Sequence, residues 1–175
     1  MSPLQPPSPE LLDRYHGPDV QPIYTGRVRV NGGEAAHGRA SGIARSDDGA
    51  LDVQLRLPAA FGGPGGGTNP EQLLAASYAS CFHGALNLLA ARAGIALGDV
   101  SVDAEVTFAR DPVDGLFQLI ADISVNMPGI DRALAAELVR NTERICPYSK
   151  LFCRGIRHVV ALAPEPPSTD PTGER

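Results

Sequence analysis

Apolar and polar residues alternate along four stretches of this chain: "IYTGRVRV" (23–30), "LDVQLRL" (51–57), "SVDAEVTF" (101–108) and "FQLIADISVNM" (117–127). A period of two collects Leu51, Val53, Leu55 and Leu57 on one strand face and Val102, Ala104, Val106 and Phe108 on another. It does the same for Phe117, Leu119, Ala121, Ile123, Val125 and Met127. Each stretch therefore predicts a strand with one buried face and one wet face. Between the last two, "DPVDG" (111–115) has turn composition and predicts a hairpin. "GIRHVVALA" (155–163) fits a final strand.

Two segments carry helix signals instead. In the first, Asn69 is suited to the N-cap, Pro70 to the first helical position and Glu71 to the positive end, and Gly94 is a stop after Ala93. Leu73, Leu74, Tyr78, Phe82, Leu86, Leu88 and Leu89 take every side of that helix, which predicts a buried central element. The second opens at Asp131, carries Leu134, Leu138 and Ile145 on one stripe, and is ended by Pro147 after Cys146. The order of strands, helix, hairpin, helix and strand predicts an α+β fold, with antiparallel sheet packed on two main helices.

With 175 residues the chain is long enough for one domain with a real core. Residues 1–22 and 164–175 are rich in Pro, Ser and charge and read as tails, which leaves 23–163 as the domain. A formal charge of -5 without a Lys/Arg cluster argues against nucleic acid or an anionic membrane as partner. No apolar run of spanning length and no basic-then-apolar leader stand out, so the expected location is the cytoplasm. An odd count of 3 cysteines is not a disulfide framework, so each thiol is read from its surroundings.

Cys81 lies in an alanine-rich helix, where a free cysteine serves equally well as a small core residue. Cys146, directly before Pro147 in "CPYS", adds a second thiol held at a helix end, and two placed thiols suggest a redox pair. A thiolate that attacks a peroxide becomes a sulfenic acid, and a second thiol converts that acid to a disulfide. Activation needs a positive group near the sulfur and a carboxylate to hold that group; Arg39 and Glu71 are the candidates. The walls offered by Phe61, Leu74, Tyr78, Phe82 and Leu86 would favour apolar peroxides over hydrogen peroxide. Other readings are weaker. The glycine run 61–71 lacks the P-loop ending and reads as a flexible connection beside a pocket, while Cys81, His83, Cys146 and Cys153 lack zinc-ligand spacing. No histidine spacing supports a cysteine hydrolase, and a non-enzymatic, apolar-ligand-binding dimer remains the alternative.

"GGTNPEQLLAASYASCFHGAL" and "ICPYSK", with the upstream "GRASGIARSDDGALDVQL", closely resemble the organic hydroperoxide resistance proteins, the Ohr branch of the OsmC/Ohr family of thiol peroxidases. The likeness runs from about Ile23 to Ala163. It implies an intertwined homodimer with a site at each interface, Cys81 as the peroxidatic and Cys146 as the resolving cysteine. It further implies Arg39 on the thiolate, Glu71 pairing with that arginine, and organic hydroperoxides as substrates. The implied reductant is a lipoylated protein or other dithiol, with no metal, haem or flavin. Between Arg39 and the "DDG" turn this chain is one residue longer than the family pattern, which makes Arg45 a rival for the activating role. Cys153 has no counterpart role and reads as a spare buried thiol. Finally, Glu71 and Cys81 are ten positions apart, about 15 Å along an unbroken helix. To share a site, they need either a break in that helix or a Glu71 from the partner subunit.

Overall fold

The computed structural model describes residues 15–33 and 40–163. The element order is β1 (Val28–Asn31), β2 (Gly42–Ser46), β3 (Asp52–Leu55), α1 (Pro70–Arg92), β4 (Ser101–Arg110), β5 (Phe117–Asn126), α2 (Arg132–Ile145) and α3 (Pro147–Arg154). Two antiparallel sheets result, β1-β2-β3 and the hairpin β4-β5, in the α+β arrangement that the pattern predicts.

The local signals act as read. Asn69 Oδ1 accepts from the Gln72 backbone N–H at 2.9 Å, with Pro70 at the first helical position of α1. Asp131 caps α2 by accepting from the N–H groups of Ala133 and Leu134. In the hairpin Val102 faces Val125, Ala104 faces Ile123 and Val106 faces Ala121, so the apolar sets of both strands share one face. Tyr78, Phe82 and Cys146 form the cluster on which Val102, Ala104, Ala121, Ile123, Val125 and Val139 pack. That contact covers the open end of the hairpin. Toward its turn, Phe117 and Leu119 stay half-exposed, and Phe108 stacks on Phe117 at 4.7 Å between ring centroids.

Other expectations need correction. β2 has no alternating signature of its own, yet it is the central strand of its sheet; Ala44 is buried there by neighbours on both sides. The first expected strand shrinks to β1, leaving Ile23 and Tyr24 exposed. Residues 155–163 form no strand, and Val159, Val160 and Leu162 are 82%, 91% and 96% exposed. An extended segment becomes a strand only when an edge accepts its hydrogen bonds, and none of the described strands of this chain does so. Pro147 ends α2 but also begins α3, a helix that the reading of 147 as a stop overlooked. Cys153, expected to be buried, is exposed on α3.

The glycine run is tied down rather than loose. Thr68 donates to the Gln54 carbonyl at 2.9 Å and accepts from the Arg56 N–H at 2.8 Å, while Gly63 and Gly65 donate to Pro58 and Leu57. A Cβ on Gly67 would come within 2.7 Å of the Gln54 carbonyl oxygen, so glycine is needed there for close approach of two backbones. Amides spent on carbonyls in this way leave little to cradle a phosphate.

By length and composition α1 does reach membrane-spanning dimensions, with a mean hydropathy of 1.3, which corrects the expectation that no run does. The core helix of a soluble protein passes the same test, and α1 packs against β4, α2 and α3. Only 28% of its most apolar window is buried within the single chain, less than a fully enclosed central helix would show.

Candidate active site

Cys81 sits in the middle of α1 and Cys146 at the junction of α2 and α3. The extended backbone of Cys146 serves as C-cap of one helix and N-cap of the next, and its N–H donates to the Thr142 carbonyl at 2.8 Å. Thr142 is itself fully buried, with its hydroxyl on the Leu138 carbonyl at 2.7 Å. This junction leaves the Cys146 side chain little freedom. Its Sγ lies 3.6 Å from the Cys81 Sγ. Cys146 is completely buried, whereas Cys81 is partly exposed, so the two thiols differ in access to a reactant.

A disulfide requires about 2.05 Å between sulfurs, so closure asks for a movement of roughly 1.5 Å. Side-chain rotation and small backbone adjustments are of that size; no domain movement is required. In the reduced chain the two sulfurs are already in contact.

Burial pushes the Cys81 thiol above its ordinary pKa, and the adjoining Cys146 thiol adds to the rise. One group works in the other direction: the backbone N–H of Tyr148, in the first turn of α3, hydrogen-bonds the Cys81 sulfur. An N–H at the positive end of a helix favours the thiolate. Sequence reasoning missed this donor because it treated Pro147 only as a stop. Proline is equally at home at the first position of a new helix, and the apolar spacing of Tyr148, Leu151 and Phe152 after it was the available signal.

The other predicted site residues are distributed as follows. Glu71 lies in the first turn of α1, and because α1 is unbroken from Pro70 to Arg92, the break that would let it reach Cys81 within one chain is absent. Arg39 lies outside the described residues. Arg45 is engaged on the exposed face of its sheet, with Nε 2.9 Å from Asp52 Oδ2, its cross-strand neighbour. Tyr78 is buried, its hydroxyl 3.2 Å from the Ser149 hydroxyl and its ring 4.8 Å from that of Phe152. Phe82 is 1% exposed and belongs to the core cluster. Phe61 is 58% exposed, with its ring edge-on to Phe108 at 6.5 Å. His83 is exposed and contacts Asn87 on the following turn. Among the described residues no three His, Cys, Asp or Glu side chains are grouped to hold a metal ion.

The family described as OsmC-like protein matches residues 63–160. The organic hydroperoxide resistance protein of Xanthomonas axonopodis pv. citri is 41% identical over 143 residues, which are 81% of this chain and 95% of that protein. Organic hydroperoxide resistance protein OhrB of Bacillus subtilis is 40% identical over 128 residues, covering 73% of this chain and 89% of its own. The crystal structure of that OhrB aligns with a TM-score of 0.63 at 41% identity, over 75% of this chain and 92% of the other. An organic hydroperoxide resistance protein structure from Legionella pneumophila aligns with a TM-score of 0.67 at 37% identity, over 77% and 93% of the two chains.

Proposed function

The chain belongs to the OsmC-like family, among its organic hydroperoxide resistance proteins, and on that premise we propose that it protects against organic hydroperoxides as a two-cysteine thiol peroxidase. The observation that carries this reading is the contact of a partly exposed thiol, Cys81, with a fully buried one, Cys146, at 3.6 Å. In the first step the Cys81 thiolate attacks the terminal oxygen of ROOH; the O–O bond breaks, the sulfur is oxidised to a sulfenic acid, and the alkoxide takes a proton to leave as ROH. In the second, the Cys146 thiol attacks that sulfur, forms the Cys81–Cys146 disulfide and releases water. A dithiol of the dihydrolipoyl type then exchanges with the disulfide and returns both thiols. Arg39 is assigned the activating charge and Glu71 its carboxylate partner. Sulfur, oxygen and thiol exchange account for every electron, and no metal or organic cofactor enters the scheme.

Peptide mapping by mass spectrometry tests this directly. After one equivalent of cumene hydroperoxide without reductant, Cys81 is expected to be joined to Cys146 while Cys153 remains free. The same amount of hydrogen peroxide should act more slowly, as the apolar residues around α1 would dictate. If Cys81 stays reduced while the hydroperoxide persists, the peroxidase reading fails and non-enzymatic binding of an apolar ligand takes its place.

The working unit in this proposal is a homodimer. Its support is the unbroken α1 between Glu71 and Cys81, the incomplete burial of that helix, and the exposed apolar segment 155–163. A partner subunit would supply Glu71 and an edge for that segment. Mixing Cys81→Ser with Glu71→Ala subunits is expected to restore activity, because one site in each heterodimer then combines an intact Cys81 with an intact Glu71. Absence of recovery in verified heterodimers would show that both residues act within one chain.

A further inference from the structure

Cys81 and Cys146 are not the only pair of side chains that joins α1 to α3. Three residues before Cys81, Tyr78 reaches Ser149, which lies three residues after Cys146. Residues three apart on a helix share a face, so the sulfur contact of 3.6 Å and the hydroxyl contact of 3.2 Å form two neighbouring rungs between antiparallel helix segments. Both hydroxyls are buried, Tyr78 at 7% and Ser149 at 2% exposure, and each satisfies the other. The Tyr78 ring adds a contact with Phe152, one turn further along α3.

Helix α3 has only 8 residues, too few to be stable alone, so side-chain contacts of this kind help to hold its first turn in place. That turn begins at Cys146 and carries the Tyr148 N–H that meets Cys81. We propose that Tyr78 and Ser149 are a positioning pair for the second oxidative step: their hydrogen bond holds Cys146 against Cys81, so that disulfide closure outruns further oxidation of the sulfenic acid. The proposal rests on the peroxidase reading. Two reactions compete for the same intermediate. In one, the Cys81 sulfenic acid and the Cys146 thiol give a disulfide and water; in the other, the sulfenic acid and a second ROOH give a sulfinic acid and ROH. Only the first depends on where Cys146 sits.

The test compares the full chain with Ser149→Ala, Tyr78→Phe and the double variant. Cys81 is assayed by mass spectrometry for disulfide and sulfinic acid over a range of cumene hydroperoxide concentrations. In Ser149→Ala the concentration that converts half of Cys81 to sulfinic acid should fall about five- to tenfold, the effect expected for one lost hydrogen bond. In Ser149→Ala the rate of the first peroxide-consuming step, in which Cys146 takes no part, should change by less than this. The double variant should fall no further than the single ones, because both remove the same bond. It leaves no orphaned buried hydroxyl, so it also provides the answer if a single variant fails to fold. A parent-like half-point in a folded variant, or additive falls, would overturn the positioning role. An inert parent protein would instead overturn the peroxidase reading, and this inference with it.

Discussion

Cys81→Ser is expected to bring organic hydroperoxide consumption down to the uncatalysed background, a loss of at least about 10³-fold for a reaction that depends on an enzyme nucleophile. A hydroxyl in place of the thiol keeps the size of the side chain but removes the atom that accepts oxygen. The fold should be unaffected, since the side chain is only partly buried and lies next to a thiol able to hydrogen-bond it. Cys146→Ser should behave differently: the first equivalent of hydroperoxide is consumed, Cys81 then stays as sulfenic acid, and excess peroxide drives it to sulfinic acid. Stopped-flow peroxide consumption with mass analysis of both variants checks the pair. Sustained turnover by Cys81→Ser would sink the proposed mechanism, and sustained turnover by Cys146→Ser would remove its resolving step.

The second large effect concerns protonation. In this chain burial and Cys146 raise the Cys81 pKa, and the Tyr148 N–H only partly opposes them. A raised thiol pKa means less thiolate at neutral pH and a slower attack. An opposite charge within a few ångströms reverses this by favouring the ionised form. If Arg39 supplies that charge, the rate of Cys81 alkylation by iodoacetamide should titrate with a midpoint below the ordinary thiol value. Arg39→Ala should move the midpoint above that value and cut alkylation and peroxide reduction at pH 7 by at least about tenfold. The sign is fixed: loss of a cation stabilises the neutral thiol, so the profile moves to higher pH. A midpoint unchanged in Arg39→Ala but raised in Arg45→Ala would transfer the role to Arg45. That outcome would also require Arg45 to leave Asp52, with which it pairs on the exposed sheet face.

Most of the architecture that positions the site is legible in short stretches of sequence. Asn69, Pro70 and Glu71 mark the start of α1, Asp131 the start of α2, and the matched alternation of 101–108 and 117–127 the hairpin. These signals are local: a cap bonds a backbone group three positions away, and strand alternation is a property of one segment. Cys81 and Cys146 were singled out in the same way, from a buried helix and a helix end. Where the reading went astray, the deciding partner was distant. β2 is a strand because β1 and β3 flank it, and 155–163 is not one because no described strand of this chain offers it an edge. Pro147 is compatible with either a stop or a start, and the packing of α3 on α1 decides for both.

By itself, then, the sequence determined the bounds of α1 and α2, the hairpin, the residue types able to do thiol chemistry and the family to which the chain belongs. The tertiary structure decided what those thiols meet. Cys81 and Cys146 are 65 residues apart in sequence, and their contact arises from the crossing of α1 with the α2–α3 junction. The same crossing brings the Tyr148 N–H to the Cys81 sulfur and the Ser149 hydroxyl to Tyr78. Periodicity and capping are written into neighbouring residues, but a distance between two side chains on different helices is set by how those helices pack.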